Sequence, residues 1–168
     1  MQIIKILLLV VVASSLHSCG YSDEFKEINH DEQFVVSFPD YMESCEDFGA
    51  DVNYKNSYRN TYSLVNVYDK EGRTLQEFQK EVLGLLKGYE LLNDPLITDS
   101  VYRETDSFSA IEVQLYGIMD NENIYYWHSA FESEGQFFEV VCWTRSMDRK
   151  QRYGPDLEKV LASFKPLV

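Results

Sequence analysis

The sequence predicts an α+β fold: a mainly antiparallel sheet of six to seven strands flanked by helices, in the order β-β-β-α-β-β-β-β-α. Three observations predict it. Short clusters of Asp, Asn, Ser and Gly separate the later strand patterns, which is the composition of hairpin turns. Two stretches place apolar residues at helical spacing behind helix-start signals. Several strands are apolar on both alternating sets, so the sheet needs cover on both faces.

The elements follow in chain order. Residues 33–39 alternate Phe34, Val36 and Phe38 and stop at Pro39, as a strand does. Residues 48–55 form a weaker strand and residues 61–68 a strong one. Asp69-Lys70-Glu71-Gly72 is a turn, and Thr74 then caps a helix with Glu77 three residues on, a capping box. Leu75, Phe78, Val82, Leu85, Leu86 and Tyr89 form its apolar stripe, with Gly88 placed to end it. Asn93-Asp94-Pro95 interrupts the chain. Strand patterns follow at 96–104, 108–118, 123–133 and 136–144, joined by turns at Asp120-Asn121-Glu122-Asn123 and Ser133-Glu134-Gly135. The last two strands are rich in Tyr, Trp, Phe and Val, which places them centrally. Gly154-Pro155-Asp156 opens the closing helix, with Pro155 at its first position. Leu157, Val160, Leu161 and Phe164 make its buried stripe, and Lys165-Pro166 stops it.

The chain has 168 residues, of which the first 18 read as a removable leader. Lys5 supplies a positive start, and the apolar run from Ile6 to Ala13 follows. That run is far short of the ~20 residues of a membrane span but fits a secretory core. Leu16-His17-Ser18-Cys19 resembles the lipobox of bacterial lipoproteins: an aliphatic residue, a loose position, a small residue, then cysteine. The resemblance implies that Cys19 becomes the mature N-terminus and carries diacylglycerol on sulfur. Two or three acyl chains anchor a protein stably where one does not. Residues 19–32 then read as an acidic tether, and 33–168 as a single domain. Asp is absent from the position after Cys19, where enterobacterial lipoproteins carry their inner-membrane retention signal. The expected location is therefore the bacterial cell envelope, at the outer membrane, on its periplasmic or its exposed side.

Charge narrows the partners. The formal net charge is −13, and removing Lys5 with the leader makes it more negative still. This disfavours nucleic acid and direct adhesion to anionic lipid. The acids concentrate in residues 20–53, whereas the bases dominate residues 145–165. Glu43, Glu46, Asp47 and Asp51 form an acidic loop that could dock an envelope protein or simply be solvated. Cys45 and Cys142 remain once Cys19 is lipidated. An oxidising envelope permits a disulfide between them, but Cys142 lies in a strand pattern and reads as a buried free thiol. His30 and His128 lack metal-ligand spacing, and no EF-hand, GxSxG, phosphate loop or dinucleotide motif occurs, so no metal or cofactor is expected. Tyr125, Tyr126 and Trp127 read as sheet core before they read as a binding platform.

Several features together resemble the PsbP-like fold family. They are the strand ending Phe38-Pro39, the long amphipathic helix between strands, the run Phe137-Phe138-Glu139-Val140-Val141-Cys142-Trp143-Thr144, and the closing Pro155-Asp156-Leu157 with Ser163-Phe164-Lys165. The family includes the extrinsic PsbP subunit of photosystem II, a Ran-binding nuclear import protein and many small bacterial lipoproteins. The resemblance implies an α/β/α sandwich over residues 33–165 and a non-enzymatic scaffold or binding role, and it carries no site residues. Function is thus expected to be that of a lipid-anchored binding or assembly module. The alternatives are a ligand carrier or small enzyme with a pocket between sheet and helix, or an immunity protein. A pocket with convergent polar groups separates the ligand carrier from a flat docking surface.

Overall fold

A long hairpin series builds the molecule. The computed structural model describes residues 24–88 and 93–167; the leader and Cys19 lie outside them. The main sheet contains β3 (Glu43–Ser44), β4 (Val52–Asn56), β5 (Thr61–Asp69), β6 (Asn93–Glu104), β7 (Ser109–Met119), β8 (Glu122–Ser133) and β9 (Gln136–Arg145). Its spatial order is β3-β4-β5-β9-β8-β7-β6, antiparallel throughout. The aromatic-rich β9 is the central strand, with β8 beside it, as their composition predicts. Helix α1 (Leu75–Gly88) follows β5, and α2 (Met147–Ser163) follows β9. The order of the long strands and the two helices is the one the sequence predicts.

Three short strands, β1 (Phe25–His30), β2 (Phe34–Pro39) and β10 (Lys165–Pro166), form a second sheet in the order β1-β2-β10, of which the residue pattern shows β2 but neither β1 nor β10. β1 corrects the tether boundary. Phe25 and Ile28 pack on the core, so the fold begins inside the segment 19–32. The acids Asp31 and Glu32 sit at φ 46° and 59° in the β1–β2 turn, closed by Gln33 N donating to His30 O at 2.8 Å. Both residues lie at positive φ, and with Gln33 they make the three-residue loop that brings Phe34 opposite His30.

Helix α2 also begins earlier than Pro155 indicates. It starts at Met147, and Pro155 lies inside it. Proline there removes one intrahelical hydrogen bond. The neighbouring Gly154 has a packing role: a Cβ added to it would lie 3.1 Å from Trp127 Cζ2. Glycine therefore lets the helix settle onto the indole, and Trp127 Nε1 donates to Glu158 Oε1 at 3.0 Å on the same helix. The polar run 147–152 hid this first part of the helix.

Alternation divides the main sheet into two faces. One is covered by α2 and the small sheet. There Phe34, Val36, Phe38, Val65, Phe131, Phe138, Val140, Leu157, Val160 and Phe164 form a fully buried core. The other face is covered by α1 over one part only. Leu75, Phe78 and Val82 pack against Ala130 and Phe137, with the Phe78 and Phe137 rings stacked 4.6 Å apart. The capping box that starts α1 is formed: Thr74 N donates to Glu77 Oε2 at 2.9 Å, and Glu77 N to Thr74 Oγ1 at 3.3 Å. The backbone bond from Thr74, then its hydroxyl, holds the Glu77 carboxyl below its ordinary value.

Candidate functional site

The half-covered face carries an apolar pocket of about 480 Å³. Its position follows from strand parity. On β5 the side chains of Tyr62, Leu64, Asn66 and Tyr68 share this face, and on β9 those of Glu139, Val141, Trp143 and Arg145 do. Tyr62 pairs with Trp143 and Trp143 with Tyr126, so three aromatic rings line up across β5, β9 and β8. The rings are nearly parallel, with centroids 5.1 Å and 5.8 Å apart. Val82 and Leu85 of α1 and Met119 of β7 complete the walls. Leu85 belongs to the predicted apolar stripe, yet it is 46% exposed, because the pocket lies where the sheet should cover it.

A buried polar network forms the pocket floor. Asn66 pairs directly with Glu139 across the ladder, while Tyr68 and His128 are its diagonal neighbours on the same face. Asn66 Nδ2 donates to Glu139 Oε2 at 2.9 Å, and the Tyr68 hydroxyl donates to the same oxygen at 3.0 Å. His128 Nε2 lies 2.9 Å from Glu139 Oε1, and Gln79 Nε2 of α1 lies 3.3 Å from His128 Nδ1. Burial alone would raise the Glu139 carboxyl, but the bonds and charge of His128, then Asn66 and Tyr68, hold it below its ordinary value. An ionised Glu139 needs donors, so Nε2 of His128 donates to it, while the Gln79 amide meets the other ring nitrogen, Nδ1. The opposite atom of that amide, Gln79 Oε1, is buried and has no hydrogen-bond partner among the described residues. Burial, then the Glu139 charge, raises the Tyr68 hydroxyl, and burial pushes Tyr126 up to about 12.

The predicted site residues are placed as follows. Glu43 and Glu46 are exposed. Asp47 forms an ion pair with Lys55, and Asp51 Oδ2, just before β4 begins, accepts from Val67 N of β5 at 2.8 Å. Two of the four acids are thus engaged by the fold itself. Their loop supplies something the sequence left unremarked: Phe48 stands edge-on to Trp143 at 5.0 Å and to Tyr62 at 6.0 Å, walling the pocket. Cys45 and Cys142 are both free thiols. Cys142 faces the closed core beside Ser63 Oγ at 3.1 Å, and burial pushes its thiol up to about 12, which leaves it unreactive. Tyr125 and Trp127 belong to the closed core, whereas Tyr126 lines the pocket. Among the described residues no group of His, Cys, Asp or Glu is arranged to hold a metal ion, and no helix is long and apolar enough to cross a membrane.

Sequence reasoning missed Glu139, Asn66, Tyr68 and Gln79. One signal for Glu139 existed: an acid in the middle of Phe137-Phe138-Glu139-Val140-Val141, a run buried on both faces. A carboxylate is retained in such a strand only with partners.

Comparison of the fold with solved structures is decisive where sequence comparison is silent. No protein-family model and no curated protein sequence matches the chain. The cyanobacterial PsbP of Synechocystis sp. PCC 6803 superimposes with a TM-score of 0.65 at 13% identity, over 90% of this chain and 99% of that one. The chain has the PsbP-like fold. The Ran-binding protein Mog1p of Saccharomyces cerevisiae shares it with a TM-score of 0.62 at 7% identity, over 86% of this chain and 96% of its own. So does LpqN of Mycobacterium tuberculosis, described as involved in cell envelope biogenesis, with a TM-score of 0.58 at 12% identity over 84% of this chain and 90% of that chain. At these identities the likeness is one of fold. The PsbP-like α/β/α layering holds, with the small sheet sharing a layer with α2.

Proposed function

We propose that this protein is a non-enzymatic ligand-binding module of the bacterial envelope, held to its membrane by lipid on Cys19 and working through the pocket on the half-covered sheet face. The pocket carries the reading. Its volume of about 480 Å³ lies within the range of small-molecule sites, its walls are apolar and aromatic, and polar groups converge at its floor. Support for the anchor comes from Leu16-His17-Ser18-Cys19, and support for the address from a fold neighbour described as involved in envelope biogenesis. The network around Glu139 gives the apolar pocket a polar floor that could orient a ligand.

A second reading, protein docking, has its own observation. The edge strand β6 exposes Leu96, Ile97, Val101 and Tyr102 along an unpaired border of the sheet, and such an edge pairs readily with another chain.

The anchor is tested by metabolic labelling. The wild-type chain should incorporate labelled palmitate and fractionate with outer membranes. Cys19→Ala should lose the label and move to the soluble fraction; label entering the variant would overturn the lipid anchor.

A further inference from the structure

Strand β6 ends the main sheet, and its two halves treat the open border differently. The first half is irregular. Pro95 falls in it, and the register with β7 shifts between Asn93 and Leu96 and again between Ile97 and Asp99. Proline and bulges are devices that keep an edge from pairing. From Asp99 to Glu104 the register is continuous, with Asp99 opposite Gln114 and Glu104 opposite Ser109. Val101 and Tyr102 are 45% and 53% exposed there, and no described strand pairs with that border. Charge is the remaining device, and here it has two signs. Asp99 and Arg103 flank Val101 on the face beside α2, where all three line a groove with Leu161 and Ala162.

Resting on the docking reading above, we propose that this border pairs with a second copy of the chain, antiparallel about Val101, joining two seven-stranded sheets into one. Symmetry limits the choice of register. A two-fold axis normal to the sheet keeps each side chain on its own face, and residues brought opposite each other must share a face. Every allowed register is therefore centred on a single residue. Centred on Ser100, Asp99 meets Val101; centred on Tyr102, Arg103 meets Val101. Centred on Val101, Asp99 meets Arg103 of the second copy, and Arg103 meets its Asp99. Opposite charges directly across a ladder stabilise it, and like charges destabilise it. The side chains are equipped for the meeting. Arg103 Nη2 pairs with Glu112, and Arg103 Nε is buried with no hydrogen-bond partner among the described residues. A guanidinium has five donors, so it can hold Glu112 and a second carboxylate together. Asp99 is exposed, and among the described residues it accepts only from Ser100 N, at 2.8 Å.

The test is sedimentation equilibrium of the full-length purified chain over a concentration series. Wild type should form a reversible dimer. Asp99→Lys and Arg103→Glu each set like charges opposite one another at both positions, so either variant alone should weaken the dimer about tenfold or more. An equimolar mixture of the two variants should regain the wild-type affinity, because the mixed dimer has opposite charges at both positions. A misfolded variant does not give that recovery. Photocrosslinking in intact envelopes, from p-benzoylphenylalanine placed at position 101, should yield an adduct of twice the chain mass. A monomeric wild type, or a dimer indifferent to both reversals, would overturn self-pairing. An adduct of any other mass would overturn it too, while leaving the docking reading standing. Absence of any adduct would overturn both.

Discussion

The two faces of one sheet have opposite designs. The face under α2 and the small sheet is closed: Phe34, Phe131, Phe138 and Phe164 are at most 1% exposed and interlock at ring separations of 4.5 to 5.9 Å. Its buried polar residues are small hydroxyls: Ser63 and Thr144 are bonded, Thr61 Oγ1 and Ser129 Oγ have no hydrogen-bond partner among the described residues, and Ser37 N donates to Ser163 Oγ at 2.8 Å across the helix–strand junction. The face under α1 shares the same strands yet leaves a pocket, a buried charged network and an unpartnered amide oxygen. Close aromatic packing serves stability; the aromatic-walled pocket and the buried carboxylate at its floor both cost stability, and both lie on the α1 side. The division sets a tightly packed aromatic core on one face and an open apolar pocket on the other.

The largest expected effect breaks or upholds that division directly. Phe138→Ala empties the centre of the closed core, and truncating a buried Phe costs about 3–5 kcal/mol. For a chain of this size that is a fall of roughly 10 °C or more in Tm. Chemical denaturation should show the loss in full. A cost under about 1 kcal/mol would mean that the closed face is not where stability resides.

Glu139→Gln gives an intermediate effect with a pH signature. The folded-state carboxyl is held below its ordinary value by its hydrogen bonds. Its stabilisation is therefore present above the unfolded value of about 4.3 and is lost as pH falls through the lower folded-state value. Hydrogen bonds to a charged group contribute about 1.5–3 kcal/mol, so the glutamine variant should be less stable than wild type by roughly that amount at neutral pH. The gap should close on acidification below about pH 4. Denaturation curves at several pH values measure it, and a gap independent of pH would show that Glu139 is not ionised in the fold.

The same contrast explains what the sequence disclosed. The closed face was legible because it obeys simple periodicities: Phe34-Val36-Phe38 alternates, and Leu157-Val160-Leu161-Phe164 repeats at helical spacing. Thr74 and Glu77 were readable because a capping box is local. The pocket was not, since it is made of registers. Asn66 meets Glu139 at a separation of 73 residues, and Phe48 reaches Trp143 from a loop whose notable feature was its acids. No local spacing encodes those meetings. In the small sheet β2 was legible, but β1 escaped for a different reason: it alternates exposed and half-buried positions, so a strand looks like a solvated acidic segment. Early α2 escaped because Gly154-Pro155 reads as a start, although Gly154 is there for the Trp127 ring.

The smallest stability effect sharpens the division most. Leu85 lines the pocket from α1 but is nearly half exposed, so little of its surface is withdrawn from water. Leu85→Ser should change stability by no more than about 0.5–1 kcal/mol, the sum of a modest propensity loss and partial burial. A bound apolar tail would complete that burial, so the variant should weaken 1-octanol, a neutral probe of the proposed pocket, about threefold to tenfold, equivalent to roughly 0.7–1.4 kcal/mol. Denaturation and calorimetry on the same sample report both quantities. Unchanged affinity for octanol would place the tail elsewhere on the sheet. A large loss of stability with unchanged affinity would reverse the assignment, making the α1 face a second structural core and leaving binding to the β6 edge.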